Sequence, residues 1–153
     1  MKSFDELVLE EKKLAEAPWD QVNTVALGET LRRIAEEQNL SIAIAVFFKG
    51  QRIYQVGLPG TAVLNDEWIM RKVHSVEMTK HSSLALRAKA DALGIQEEEF
   101  GFNSGHLAIC GGGYPLLTNG ELVGIAITSG LPHEADHNLI IEALTEFRKE
   151  MTW

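Results

Sequence analysis

The sequence predicts an α+β domain in which helices cover an antiparallel sheet, and three observations carry that fold class. Ile42, Ile44, Val46 and Phe48 alternate with Ala43, Ala45 and Phe47, so both faces of one strand are apolar. A strand of that kind is covered on both sides and lies centrally in its sheet. Asn119-Gly120 separates two apolar runs, Tyr114 to Thr118 and Glu121 to Thr128, which is the strongest short-range hairpin signal and implies antiparallel pairing. Segments of helical periodicity flank and separate these strands, and helices placed that way cover a sheet's faces.

Each element follows in order. Ser3 and Glu6 form a capping-box pattern, after which Phe4, Leu7, Val8, Leu14 and Ala15 recur at helical spacing until Pro18 ends the helix. A second helix follows Asp20 or Asn23 and buries Leu27, Leu31, Ile34 and Ala35, while the intervening glutamates and arginines read as a solvated face. After the central strand, Lys49-Gly50-Gln51 turns the chain and Arg52 to Val56 returns as a partner, closed by Gly57 to Gly60. Asp66 to Leu93 reads as helix with a break near His81-Ser82-Ser83, where Ser82 or Ser83 caps a new segment that stops at Gly94. The short apolar segment His106 to Cys110 predicts a further strand ending in Gly111-Gly112-Gly113. Pro132 suits the first turn of a last helix, with Ile140, Leu144, Phe147 and Met151 along one face. The expected order is α-α-β-β-α-(α)-β-β-β-α, five strands in one domain over residues 1–153.

Composition narrows the classes of function. At 153 residues, with 45% apolar and 24% charged residues, the chain fits a single globular domain able to bury a core without disulfides or a structural metal. Acids outnumber bases by 22 to 14 and give a net charge of −8, so neither a nucleic acid nor an anionic membrane surface is the expected partner. The single cysteine, Cys110, forms no internal disulfide and has no partner at zinc-ligand spacing, which suits a reducing compartment. The N-terminus turns acidic at once without an apolar signal region, and no apolar run approaches the ~20 residues needed to span a bilayer. The expectation is a cytoplasmic protein.

Few residues announce chemistry. His133-Glu134-Ala135-Asp136-His137 matches a zinc-protease pattern, with both imidazoles on one helical turn and Glu134 as general base. It directly follows Pro132 and lacks a third ligand, so a metal-dependent hydrolase through His133 and His137 is a minor alternative and no metal is assigned. Acids at a helix start, favoured by its dipole, explain Glu134 and Asp136 more cheaply. Cys110 reads as a small buried hydrophobe. Gly111-Gly112-Gly113 could line an anion site with backbone N–H groups or simply bend a strand. Trp68 shares a helical face with Arg71 and Lys72, where an indole beside two cations could hold a planar carboxylated ligand, or could be a half-buried tryptophan beside solvated bases. His74 and His81 are single histidines on helices, a placement that is more often structural than ligating.

Taken together, Trp68-Ile69-Met70-Arg71-Lys72, His81-Ser82-Ser83, Gly111-Gly112-Gly113-Tyr114-Pro115-Leu116 and the stretch from Leu122 to Pro132 leading to Asp136-His137 resemble the haem-degrading-domain superfamily typified by GlcG and HbpS. The resemblance is to its uncharacterised intracellular branch and runs from about Asp20 onward. It implies a profilin-like α/β/α fold with a five-stranded antiparallel sheet and assembly into homo-oligomers. It also implies a small-molecule ligand, with haem the candidate cofactor, because some relatives bind haem and are credited with degrading it. On that reading the ligand-binding residues are Trp68, Arg71, Lys72, Ser82, Ser83, Gly111, Gly112, Gly113, Asp136 and His137. His74, His81 or His106 would be the axial haem ligand, and Arg71 and Lys72 would meet the propionates. Because no complete catalytic constellation is present, a non-enzymatic oligomeric scaffold or adaptor is the competing reading.

Overall fold

The computed structural model describes residues 1–96, 99 and 105–152. The chain runs α1 (Phe4–Leu14), α2 (Gln21–Glu37), β1 (Ala43–Phe48), β2 (Gln51–Gly57), α3 (Val63–Thr79), α4 (Ser83–Leu93), β3 (Gly113–Thr118), β4 (Glu121–Ser129) and α5 (His133–Met151). The strands form one antiparallel sheet of order β2-β1-β4-β3. β1 therefore lies inside the sheet, as its two apolar faces require. Ile42, Ile44 and Val46 point into the core under α2 and α5, with Leu27, Leu31, Ile140 and Leu144. Ala43, Ala45 and Phe47 point the other way and meet Ile69, Val73 and Val76 of α3.

Local signals set the boundaries. Ser3 and Glu6 close a reciprocal capping box on α1, and Asp20 caps α2 by accepting from the Asn23 N–H at 2.7 Å. Ser82 caps α4, accepting from the Ala85 N–H at 3.1 Å, and Gly94 ends it in a left-handed conformation (φ 67°). Asn119 and Gly120 both adopt positive φ, 53° and 77°, as a type I′ hairpin turn demands.

The expected fifth strand is not one. Among the described residues the sheet has four strands, and 106–110 forms no ladder. Leu107 and Ala108 are fully buried, yet their backbone groups are satisfied by side chains of α3. Arg71 Nε donates to Leu107 O at 2.9 Å, while Ser75 Oγ donates to Ala108 O and accepts from Ala108 N–H, each at 2.9 Å. An apolar run that short does not distinguish a strand from a coil pinned to a helix. The edge of β3 is occupied instead by the α1–α2 linker. Leu117 N–H donates to Ala15 O and Ala17 N–H to Leu117 O, both at 2.9 Å, around a parallel bridge between Glu16 and Leu117.

Smaller corrections share one cause, the pull of tertiary contacts. α1 stops at Leu14, short of Pro18, because Ala15 to Ala17 leave the helix to pair with β3. Pro132 is the cap of α5 rather than its first helical residue. Met151 is 37% exposed, so the buried face of α5 ends at Phe147. Glu11 on α1 is buried, while Glu29, Arg32, Arg33, Glu36 and Glu37 form the solvated face expected on α2. No helix among the described residues is long and apolar enough to cross a membrane.

Candidate functional site

The candidate site forms where α3, the β4–α5 turn and the first turn of α5 meet. Lys72 projects from the middle of α3 into the interior and is 2% exposed. An ammonium there needs partners. It donates to Thr128 O at 2.7 Å and to Asp136 Oδ2 at 3.2 Å. Asp136 is equally buried, and its Oδ1 accepts from the Leu131 N–H at 3.1 Å. Burial pushes its carboxyl above the usual carboxylate range, and the Lys72 ammonium and backbone donors at Leu131 and Gly130 pull it back. Thr128 Oγ1 donates to Asp136 O at 2.8 Å, which fixes the start of α5 against the end of β4.

The three glycines make this junction possible. Gly112 has φ 122°, and a Cβ there would collide with Thr128 O and Lys72 Nζ. A Cβ at Gly111 would strike His133 O, and one at Gly113 would crowd Ser83 Oγ and Val76. The Gly113 N–H donates to Ser83 Oγ at 2.9 Å, and the Gly111 N–H donates to His133 Nδ1 at 3.4 Å. The triglycine segment is thus pressed against the site as its wall. Its N–H groups at 111 and 113 are taken by side chains.

Above the ion pair lies a cleft of about 300 Å³ lined by Trp68, Lys72 and Asp136 together with Leu64, Cys110, Leu131 and His133. Of the residues singled out from sequence, Trp68, Lys72 and Asp136 reach it. Arg71 does not: its guanidinium covers one face of Trp68 at 4.1 Å from the ring centre, and its Nε serves Leu107 O. Ser82 and Ser83 are buried supports, the first capping α4 and the second holding Gly113. His137 faces another way. Its Nε2 meets Glu10 Oε1 at 3.0 Å beneath α1, and it lines a different recess with Glu6, Glu10 and Glu134. Sequence reasoning passed over His133 and Cys110 as cleft residues, and Asn65, whose Nδ2 donates to Ser129 O at 3.4 Å on the rim. The one available signal for the rim was the Ser129-Gly130-Leu131-Pro132 turn. Burial pushes the Cys110 thiol up, away from nucleophilic character.

The remaining histidines lie outside the cleft. His74 stacks on His106 with ring centres 4.3 Å apart, and His74 Nδ1–H donates to His106 O at 3.2 Å. His81 Nδ1–H donates to the Glu11 carboxylate at 2.7 Å, while the other oxygen of Glu11 accepts from the Ser82 N–H at 2.7 Å. Both tautomers leave Nε2 with a lone pair, as an axial ligand needs, but neither ring lines the cleft. His133 does line it, and its Nδ1 is already an acceptor, which puts the proton on Nε2. The residues present do not fit haem coordinated by His74, His81 or His106 inside this cleft. Because His133 and His137 face different recesses, the zinc-protease pattern builds no metal centre. Among the described residues no group of three histidines, cysteines or carboxylates could hold a metal ion.

Fold and cleft together define a class: helix-covered antiparallel-sheet domains with a ligand-sized recess at the junction of a central helix and the last one. The chain belongs to the family described as haem degrading protein HbpS-like, whose match spans residues 20–145. It is 34% identical over 152 residues to a UPF0303 protein of Azotobacter vinelandii, covering 97% of this chain and 91% of that relative. A UPF0303 protein of Streptomyces coelicolor is also 34% identical, over 144 residues, covering 93% of this chain and 91% of the relative. Among solved structures, Ybr137w protein superposes with a TM-score of 0.87 at 25% identity, covering 96% of this chain and 88% of that one. The PduOC:heme complex gives 0.68 at 18% identity, covering 84% of this chain and 94% of that one. HbpS gives 0.67 at 15% identity over 85% and 90%. These last two share the fold.

Proposed function

We propose that this chain, acting as one unit over residues 1–153, binds a small, flat, largely apolar molecule in the cleft under Trp68. The ligand carries a carbonyl or carboxylate oxygen that accepts a hydrogen bond from Lys72. One observation carries the reading: Lys72 is a buried ammonium with three N–H donors, two of them committed to Thr128 O and Asp136, and it lines the cleft. Asp136 offsets its charge, so the pair presents a directional donor rather than a bare cation. The cleft volume, about 300 Å³, lies at the small end of the ~300–1,000 Å³ range of ligand sites.

The PduOC neighbour was solved with haem, and haem is a flat apolar molecule bearing carboxylates, so haemin is the first ligand to test. Titration of haemin and of metal-free protoporphyrin, followed by absorbance, should give binding of both that W68A and K72M weaken about tenfold or more. A Soret shift abolished by H74A, H81A or H106A and indifferent to W68A would move the site to those histidines and overturn the cleft assignment. Absence of binding by either probe removes the haem version.

Self-association is part of the same proposal. Val63 and Leu64 at the start of α3 are 74% and 61% exposed beside the cleft, a placement that favours burial against a second copy. A concentration-independent monomer by light scattering would exclude it, together with the scaffold reading that depends on assembly. The single cysteine and acidic surface suit a cytoplasmic home, which fractionation of the native cell would test.

A further inference from the structure

A second recess lies apart from the cleft, at the other end of α3, and we propose that it binds a medium-chain alkyl carboxylate. The alkyl chain would lie between the sheet and α3, and the carboxylate would sit between Lys49 and Lys80. The recess holds about 300 Å³ and its walls are Phe47, Met70, Val73, Leu122 and Ile125, with Lys49, Lys80 and Glu77 at the rim. It is the open end of the core cluster that α3 makes with the sheet. Met70, unbranched and polarizable, can adapt to an inserted chain. Two ammonium groups against one carboxylate leave a single positive charge at the mouth, which complements a monoanion. Neither lysine forms a salt bridge among the described residues. The Lys49 ammonium rests 5.4 Å from the Phe48 ring centre, an exposed contact that a flexible four-carbon stem can exchange for the mouth.

The backbone supplies an independent sign. Lys49 and Lys80 have φ of 50° and 62°, the left-handed region that disfavours lysine and suits asparagine or glycine. The same molecule shows the cheaper solution at equivalent places. The β3–β4 turn puts Asn119 (φ 53°) where the β1–β2 turn puts Lys49, and α4 ends on Gly94 (φ 67°) where α3 ends on Lys80. Thr152, beside the C-terminus, is the other non-asparagine side chain in this region among the described residues. Two lysines held against local preference thus stand together at the rim of one apolar recess, as strained residues cluster at ligand sites.

The test is calorimetric titration of octanoate and of octanol into the whole protein at low salt, alongside K49N and K80G. The proposal expects octanoate to bind and each substitution to weaken it by about three- to fivefold, with octanol binding unchanged. Each substitution should also raise Tm by ~1–4 °C, because it relieves the backbone. M70W, which fills the recess, should abolish binding. Octanoate that fails to bind, or binds unaltered in K49N and K80G, overturns the assignment. So does equal weakening of octanol, a fall in Tm in either lysine variant, or loss of octanoate binding in W68A, whose side chain belongs to the other cleft.

Discussion

Asp136 and His137 are sequence neighbours on the first turn of α5, and both are 2% exposed, yet they enter two kinds of buried polar contact. Asp136 meets Lys72, and around that pair Thr128 O and the Leu131 N–H take further hydrogen-bonding positions. His137 meets Glu10, whose carboxylate is 14% exposed and also holds Lys2 at 2.6 Å near the surface. Among the described residues its Nδ1 has no hydrogen-bond partner, and neither has the buried Tyr114 hydroxyl beside it, with ring centres 5.7 Å apart. One side of the helix start is locked by mutual satisfaction. The other retains unpaired polar atoms and a carboxylate within reach of solvent protons. The difference teaches that a buried ion pair acts as a fixture only where the backbone completes it.

The largest effect should fall on the locked side. D136N leaves the Lys72 ammonium buried without a counter-charge and should cost about 3–5 kcal/mol by urea denaturation. The double variant K72M/D136L, which removes both charges, should recover most of that loss. If the double variant is as unstable as D136N, the pair is not the origin of the effect and the contrast breaks. G112A comes next, at about 2–4 kcal/mol, because the added methyl has positive φ to contend with and collides with Thr128 O and Lys72 Nζ. Rescue of G112A by K72M would show that the lysine, and not the backbone, sets the constraint.

Smaller effects belong to the open side. The hydrogen bond from His137, more than any other influence, holds the Glu10 carboxyl below its ordinary value of 4.5. A carboxyl depressed in the folded state contributes stability that is complete above that ordinary value and is lost as pH falls through the folded one. E10Q should therefore cost about 1–2 kcal/mol at pH 7 and flatten the stability profile below about pH 4.5. A profile identical to that of the parent chain would sink the assignment of that slope to Glu10. The smallest effect is Y114F, which deletes an unsatisfied buried hydroxyl and should be neutral or stabilising by up to ~1 kcal/mol. Destabilisation by more than that would reveal a partner for the hydroxyl and narrow the contrast between the two sides.

How much was legible beforehand follows the range of each signal. Capping at Ser3, the Asn119-Gly120 turn, the central β1 and the break before α4 are written within a few residues, and each is found. The expected strand at 106–110 failed because its buried backbone is satisfied by Arg71 and Ser75, more than thirty residues away in the chain. Trp68, Lys72 and Asp136, singled out from the sequence, line one cleft. His137 was grouped with them because it follows Asp136, but adjacent helical positions point about 100° apart. Glu10 and Glu11 were invisible, since a glutamate on an amphipathic helix looks the same whether it meets water or a buried histidine.

The pairing of residues 15–17 with Leu117 has a consequence for how copies of the chain can join. One margin of the sheet is covered at Leu117 by the protein's own linker, and Pro115 on that strand offers no amide proton. The opposite margin is β2, where Gln51, Arg52 and Gln55 stand exposed beside a β-bulge, a polar and twisted border that resists docking of another strand. Continuous cross-protomer sheets are therefore disfavoured at both rims. Any ring or stack that this chain builds must be cemented through its helices and turns, and the exposed Val63 and Leu64 beside the cleft under Trp68 stand on such a helix.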